Sequence, residues 1–127
     1  RVVLAGAGVG ITPLRALAEG LAYEPGEVVL LHRFTDQPLF AGEFQQLAAR
    51  RGLRIMPLPG PRPDPGSVLG PYAAGHDETR VLQYWIPDLA DSDVYICGPA
   101  GWAAGFEHLA ANAGVPKDRI HTESFGW

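Results

Sequence analysis

The segment "VVLAGAGVGITPL", residues 2–14, starts as an apolar run and passes through Gly6, Gly8 and Gly10 to Thr12 and Pro13. Val2–Ala5 has the composition of a strand buried on both faces. Thr12 then reads as an N-cap and Pro13 as the first helical residue, where a missing N–H costs nothing. Leu14, Leu17, Ala18 and Leu21 share one face of the helix that follows. Gly6-x-Gly8 begins like a Gly-x-Gly-x-x-Gly dinucleotide fingerprint, but the third glycine position holds Ile11. Counted from Gly8 and Gly10, that position holds Pro13. No Lys-Ser/Thr follows the glycines, which argues against a P-loop. Two readings stand. The loop is a glycine-rich turn that binds nothing, or its backbone approaches a phosphate at a helix N-terminus, where free N–H groups and the positive dipole end lie.

The same alternation runs outward from this segment. Pro25-Gly26 marks a turn, and Val28–Leu31 a second continuous apolar strand. Phe40, Phe44, Leu47 and Ala48 form a helical stripe stopped by Gly52, and Leu53–Leu58 suits a third strand. Residues 57–71 hold nine prolines and glycines in fifteen positions, the composition of an irregular surface loop. Val81, Leu82, Trp85, Ile86 and Leu89 make a helical face that must end or kink near Pro87. Asp93–Cys97 reads as a fourth strand and Ile120–Phe125 as the last. Between them Trp102, Phe106, Leu109, Ala110 and Ala113 form a helical core stripe ended by Gly114 and Pro116. Alternating strands and helices with continuously apolar strands predict an α/β, three-layer, Rossmann-like module. The expected sheet has five parallel strands in the order 3-2-1-4-5, with helices on both faces. Ligands bind such sheets at the carboxyl ends of the strands. The unusual residues cluster there: the glycine loop, His32-Arg33-Phe34-Thr35 and Cys97-Gly98-Pro99.

Composition narrows the function classes. At 127 residues one domain is expected, nearly half of it apolar. A net charge of −4 with interspersed signs argues against a broad nucleic-acid face. Cys97 is the only cysteine, so no intramolecular disulfide forms, and a reducing, cytoplasmic setting fits best. No apolar run approaches the ~20 residues of a membrane helix. His32, His76, His108 and His121 lack metal-ligand spacing, so no metal is assigned. The chain has no initiator methionine and starts almost inside a strand, so a piece of a longer polypeptide is expected.

These motifs resemble the NAD(P)-binding module of the ferredoxin–NADP reductase superfamily. Its loop commonly reads Gly-x-Gly-x-Gly-x-Thr/Ala-Pro, matched by Gly6, Gly8, Gly10, Thr12 and Pro13. Cys97-Gly98-Pro99 with Gly101 resembles its second motif, and Glu123-Ser124-Phe125 its acidic-aromatic ending. The segments "VLLHRFTDQPLF" and "DVYICGPAG" are similar to bacterial ferric-reductase-like and flavodoxin-reductase-like members, where this module ends a longer chain that in some cases carries membrane helices. The resemblance implies a division of labour. A preceding barrel domain holds FAD, and this module, residues 1–127, brings NADPH so that hydride passes to the flavin. Electrons then go on to ferredoxin, flavodoxin, haem or ferric iron. The barrel's Arg-x-Tyr-Ser/Thr motif is absent here, so the 127 residues alone are expected to be inactive. The alternative is a nucleotide-binding or redox-sensing module that catalyses nothing.

The resemblance also implies residue roles. Thr12 corresponds to a hydroxyl near the nicotinamide–flavin junction, Cys97 to a thiol that helps place the nicotinamide, and Glu123 to an acid near the active centre. Each has a plainer reading: an N-cap, a small buried residue and a solvated edge carboxylate. Phe125 and then Trp127 are candidates for an aromatic that covers the flavin. For the choice of cofactor, Arg33 and Thr35 at the end of strand 2 suit a 2′-phosphate. NADP is therefore expected, with NAD as the alternative because Asp36 is close. Arg62 is a weaker candidate for a second basic group.

Overall fold

The computed structural model describes the backbone of residues 1–125 and the side chains of residues 1–124. The expectations for the rings of Phe125 and Trp127 lie outside the described residues. Five parallel strands form one sheet in the order β3-β2-β1-β4-β5, the expected order. They are β1 (Val2–Ala7), β2 (Val28–Phe34), β3 (Arg54–Pro59), β4 (Asp93–Pro99) and β5 (Ile120–Phe125). The helices are α1 (Ile11–Gly20), α2 (Ala41–Arg51), α3 (Glu78–Trp85) and α4 (Ala100–Asn112).

Strand alternation makes the three layers. Leu4, Val28 and Leu30 point to one face and pack with Ile11, Leu14 and Ala18 of α1 and Phe44 of α2. Val3, Ala5 and Val29 point to the other and pack with Leu82 of α3 and with Trp102, Ala103 and Phe106 of α4. Both faces of the central strands are dry, as their unbroken apolar sequence requires. Among the described residues no helix is long and apolar enough to cross a membrane.

Several local expectations are corrected. Thr12 is not the N-cap. The chain leaves β1 through a 3-10 turn, Gly8–Gly10; Gly10 caps α1 and no side chain bonds to the first turn. Thr12 and Pro13 are the second and third helical residues, in the first turn, where N–H groups lack an intrahelical partner and the N–H that Pro13 does not have is not missed. Phe40 lies outside α2 as its N-cap, at φ 58, with its carbonyl accepting from Phe44 N at 3.0 Å and its ring 4.7 Å from the Arg15 guanidinium carbon. Strands β1, β2 and β4 run two or three residues longer than their apolar cores predict, carrying Gly6, Arg33 and Gly98 into the sheet. Helix α3 ends at Trp85. Ile86 is extended because it precedes Pro87, and Leu89 falls in a separate 3-10 turn.

One clamp ties the first two helices together. Arg51, in the last turn of α2, donates Nη1 to the carbonyls of Ala18 and Glu19 and Nη2 to that of Leu21, and its guanidinium lies 4.0 Å from the Tyr23 ring centre. These are the carbonyls that the end of α1 leaves without helical partners. Arg51→Ala is expected to lower stability by about 1.5–3 kcal/mol, the scale of hydrogen bonds to a charged group. Urea unfolding would read the loss; a midpoint shift equivalent to less than about 0.5 kcal/mol would show that water replaces the clamp.

Candidate functional site

The carboxyl ends of β1, β2 and β4 lie side by side because the register pairs Gly6 with both His32 and Cys97. The 3-10 turn Gly8–Gly10 folds over these ends. A Cβ on Gly10 would fall 2.2 Å from the carbonyl oxygen of Cys97 and 2.8 Å from Gly98 N, so turn and β4 are in backbone contact. Gly6 is a strand residue whose Cβ would meet methyls of Ile11 and Leu14 at 2.9 Å. Gly8 differs from both. It has φ +57, is exposed and has no atom within 4 Å of where its Cβ would stand. Of the three loop glycines only Gly8 offers open backbone to a ligand; Gly6 and Gly10 serve packing. The ridge made by the turn and Cys97–Pro99 separates two clefts.

The first cleft, about 580 Å³, is lined by Gly8, Arg33, Thr35, Arg62, Pro99 and Trp102, among others. Arg33 is only 6% exposed, so the reading of a solvated surface charge is excluded. Its Nη1 donates to the carbonyls of Phe34 (2.7 Å) and Leu58 (3.0 Å). Nε and Nη2 have no hydrogen-bond partner among the described residues. Burial and, next, the nearby Arg62 guanidinium lower the Arg33 pKa, and Glu78 opposes them. A buried arginine that lines a cleft and keeps donors that no described residue takes suits an anion. Arg62 and Thr35 are exposed at the same cleft, and among the described residues no carboxylate lines it, Asp36 included.

The second cleft, about 440 Å³, lies across the ridge and is lined by Pro13, Leu14, Leu17, Tyr95, Cys97, His121 and Glu123 with their neighbours. Cys97 is 6% exposed, and burial, then the Glu123 carboxylate, push its thiol pKa up, which keeps the sulfur protonated. Cys97 and Glu123 are register partners on adjacent strands, and Glu123 is exposed. Tyr95 and His121, the next pair along the same face, stack with ring centres 4.6 Å apart. Asp93 lies 3.7 Å from the His121 ring. Thr12 is exposed on α1 and lines neither cleft, and neither do Gly6, Gly10 and Gly98.

Other parts of the site escape sequence patterns. Trp102 belongs to the core stripe, as its spacing predicts, yet its ring also walls the first cleft. Its Nε1 donates to Val68 O at 2.9 Å, and it leaves Gly98 no room for a side chain, with a Cβ 2.7 Å from the ring. Val9 and Leu39, 49% and 41% exposed, add apolar surface to that cleft. Ser67–Gly70, inside the proline-rich loop, is buried rather than a free surface segment. A hint was available in the sequence: Val68 and Leu69 are the loop's only adjacent aliphatic residues.

Comparison with known proteins bears on this arrangement. Residues 4–108 match the family of oxidoreductase NAD-binding domains. The ferredoxin reductase component of 3-ketosteroid-9-alpha-monooxygenase from Mycolicibacterium smegmatis is 33% identical over 126 residues, covering 97% of this chain and 33% of that protein. A flavohemoprotein of Chromobacterium violaceum is 34% identical over 129 residues, covering 98% of this chain and 32% of that protein. The flavohem-like FAD/NAD-binding domain of nitric oxide dioxygenase from Vibrio cholerae superposes with a TM-score of 0.72 at 30% identity, covering 98% of this chain and 50% of that one. The chain spans about a third of the length of these curated relatives.

Proposed function

The chain belongs to the oxidoreductase NAD-binding domain family of ferredoxin–NADP reductase-like proteins, and we propose that it is the NADPH-binding half of a flavin-dependent reductase. In this reading FAD sits on a barrel domain of the same polypeptide, in the cytoplasm. When bound, the reduced nicotinamide supplies a hydride to the flavin.

The observation that carries the cofactor choice is the first cleft. The buried Arg33, whose Nε and Nη2 have no partner among the described residues, lines it with Arg62 and the open backbone of Gly8, and no carboxylate of the described residues does. A 2′-phosphate needs such donors, whereas a 2′-hydroxyl is usually read by an acid. Gly8 and the α1 N-terminus would hold the pyrophosphate through N–H groups. Across the ridge, the protonated thiol of Cys97 offers a small neutral wall for the nicotinamide, with Glu123 at its margin. This second cleft lies between α1 and the β4–β5 edge, where His121, Thr122 and Glu123 are exposed, and that edge is the face proposed to meet the flavin domain. The relatives pair such modules with an oxygenase or a haem, as their names state; a one-electron acceptor of that kind is the partner inferred here.

Arg62 provides the cleaner test, because it is exposed and donates only a long bond, 3.3 Å, to Pro65 O, whereas the buried Arg33 bonds to the carbonyls of two strands. In the full-length protein, Arg62→Ala is expected to weaken NADPH by about ten- to a hundredfold, the equivalent of about 1.5–3 kcal/mol, and to leave NADH unchanged. Steady-state KM values for both cofactors check it, and equal losses for the two would overturn the assignment of the 2′-phosphate.

A further inference from the structure

We propose that Glu78, which lines neither cleft, is a positioning residue that sets the selectivity of the first cleft by holding the Ser67–Gly70 turn against Arg33 and Trp102. The proposal rests on the reading of that cleft as a 2′-phosphate site.

The geometry starts at α3. Asp77 caps the helix, its Oδ1 accepting from Thr79 N at 3.0 Å and Arg80 N at 3.4 Å. Glu78 is the first helical residue, half-buried, and its carboxylate turns away from solvent toward the proline-rich loop. Val68 N donates to both carboxylate oxygens at 3.1 Å, and Leu69 N donates to Oε2 at 2.8 Å. Ser67 Oγ closes the turn by accepting from Gly70 N at 3.2 Å. Three backbone N–H groups of a buried segment thus depend on two side chains, and no helix or strand ladder supplies an alternative.

The turn delivers two contacts to the cleft. Val68 O accepts the indole N–H of Trp102, fixing the ring that walls it. Gly70, at φ +85, sits beside the Arg33 guanidinium, with Cζ and Nε 3.1 Å from where a Cβ would stand. That guanidinium is therefore held by the Phe34 and Leu58 carbonyls and bounded by Gly70. Glu78 is also the acid whose charge opposes the effects of burial and of Arg62 on Arg33. One carboxylate outside the cleft both braces Arg33 and offsets the repulsion between the two guanidiniums.

The test compares two probes, 2′,5′-ADP and 5′-AMP, on the full-length protein and its Glu78→Gln and Glu78→Asp variants. Glutamine keeps the length, loses the charge and turns an amide N–H toward the Val68 N–H. Aspartate keeps the charge but falls short by one methylene. The ratio of the two affinities is the readout, because both probes report on the same folded fraction whatever its yield. Glu78→Gln is expected to reduce the preference for 2′,5′-ADP on the order of tenfold, with 5′-AMP affinity little changed, and Glu78→Asp to fall between it and wild type. The amide protons of Val68 and Leu69 should both move in NMR spectra of Glu78→Gln. A wild-type preference that survives in both variants would overturn the positioning role alone. No preference in the wild type would overturn the 2′-phosphate reading, and this inference with it.

Discussion

Gly10→Ala is expected to cost more than about 3 kcal/mol and to leave little folded protein, from a single added methyl group. Gly10 has an ordinary helical backbone, φ −61 and ψ −15, so no conformational strain enters. The loss is steric. The new Cβ would stand 2.2 Å from Cys97 O, 2.5 Å from Cys97 C and 2.8 Å from Gly98 N. These are backbone atoms of β4, which is paired with β1 on one side and β5 on the other, so they cannot retreat without breaking a ladder. A domain of this size has a total stability of about 5–15 kcal/mol, so such a loss is a large share of it. Gly8→Ala makes the control. Nothing lies within 4 Å of its Cβ position, and only the positive φ is penalised, by about 1–2 kcal/mol. That methyl would project into the first cleft, so nucleotide affinity should fall further than stability. Urea unfolding of the two variants side by side decides the point. A Gly10→Ala protein within about 1 kcal/mol of wild type would mean that turn and strand can separate.

Trp102→Ala should cost about 3–5 kcal/mol, the range for truncating a large buried aromatic. The side chain is 3% exposed and packs against Phe106 with ring centres 5.5 Å apart. Truncation opens a cavity beside Gly98 and removes the donor to Val68 O. Trp102→Phe separates the two effects, since it retains most of the volume and leaves a buried carbonyl without a donor, at about 1–3 kcal/mol. Both variants should weaken 2′,5′-ADP and 5′-AMP by similar factors, because the ring is a wall and carries no charge. Arg62→Ala, in contrast, should affect only the 2′-phosphorylated ligand. Calorimetric titration of both nucleotides into each variant distinguishes wall from charge; a loss confined to 2′,5′-ADP on truncating Trp102 would mean that the indole acts by holding Arg33.

The sequence determined what short-range physics encodes. Continuous apolar runs located β1 and β2, less regular stretches at 53–58, 93–97 and 120–125 located the other three strands, and Gly52, Pro87 and Gly114 marked where helices α2, α3 and α4 stop. The Gly-x-Gly-x-Gly-x-Thr-Pro and Cys-Gly-Pro motifs fall together on one edge of the sheet, the carboxyl ends of its strands, where ligand loops of a parallel sheet gather. Only the tertiary structure decided the division of labour among those residues. Gly6, Gly8 and Gly10 are identical in a motif. They differ in what stands opposite: α1 methyls, open cleft and the Cys97 carbonyl. Thr12 loses its capping role because a 3-10 turn displaces the helix start by two residues. Arg33 reads as a surface charge or a phosphate ligand until the carbonyl of Leu58, 25 positions away, is seen to bury it. The Ser67–Gly70 turn reads as loop until Trp102, 34 positions beyond Val68, takes its carbonyl. Contacts between residues so far apart leave no periodicity in the chain, since each depends on where the intervening strands and helices bring its two ends together.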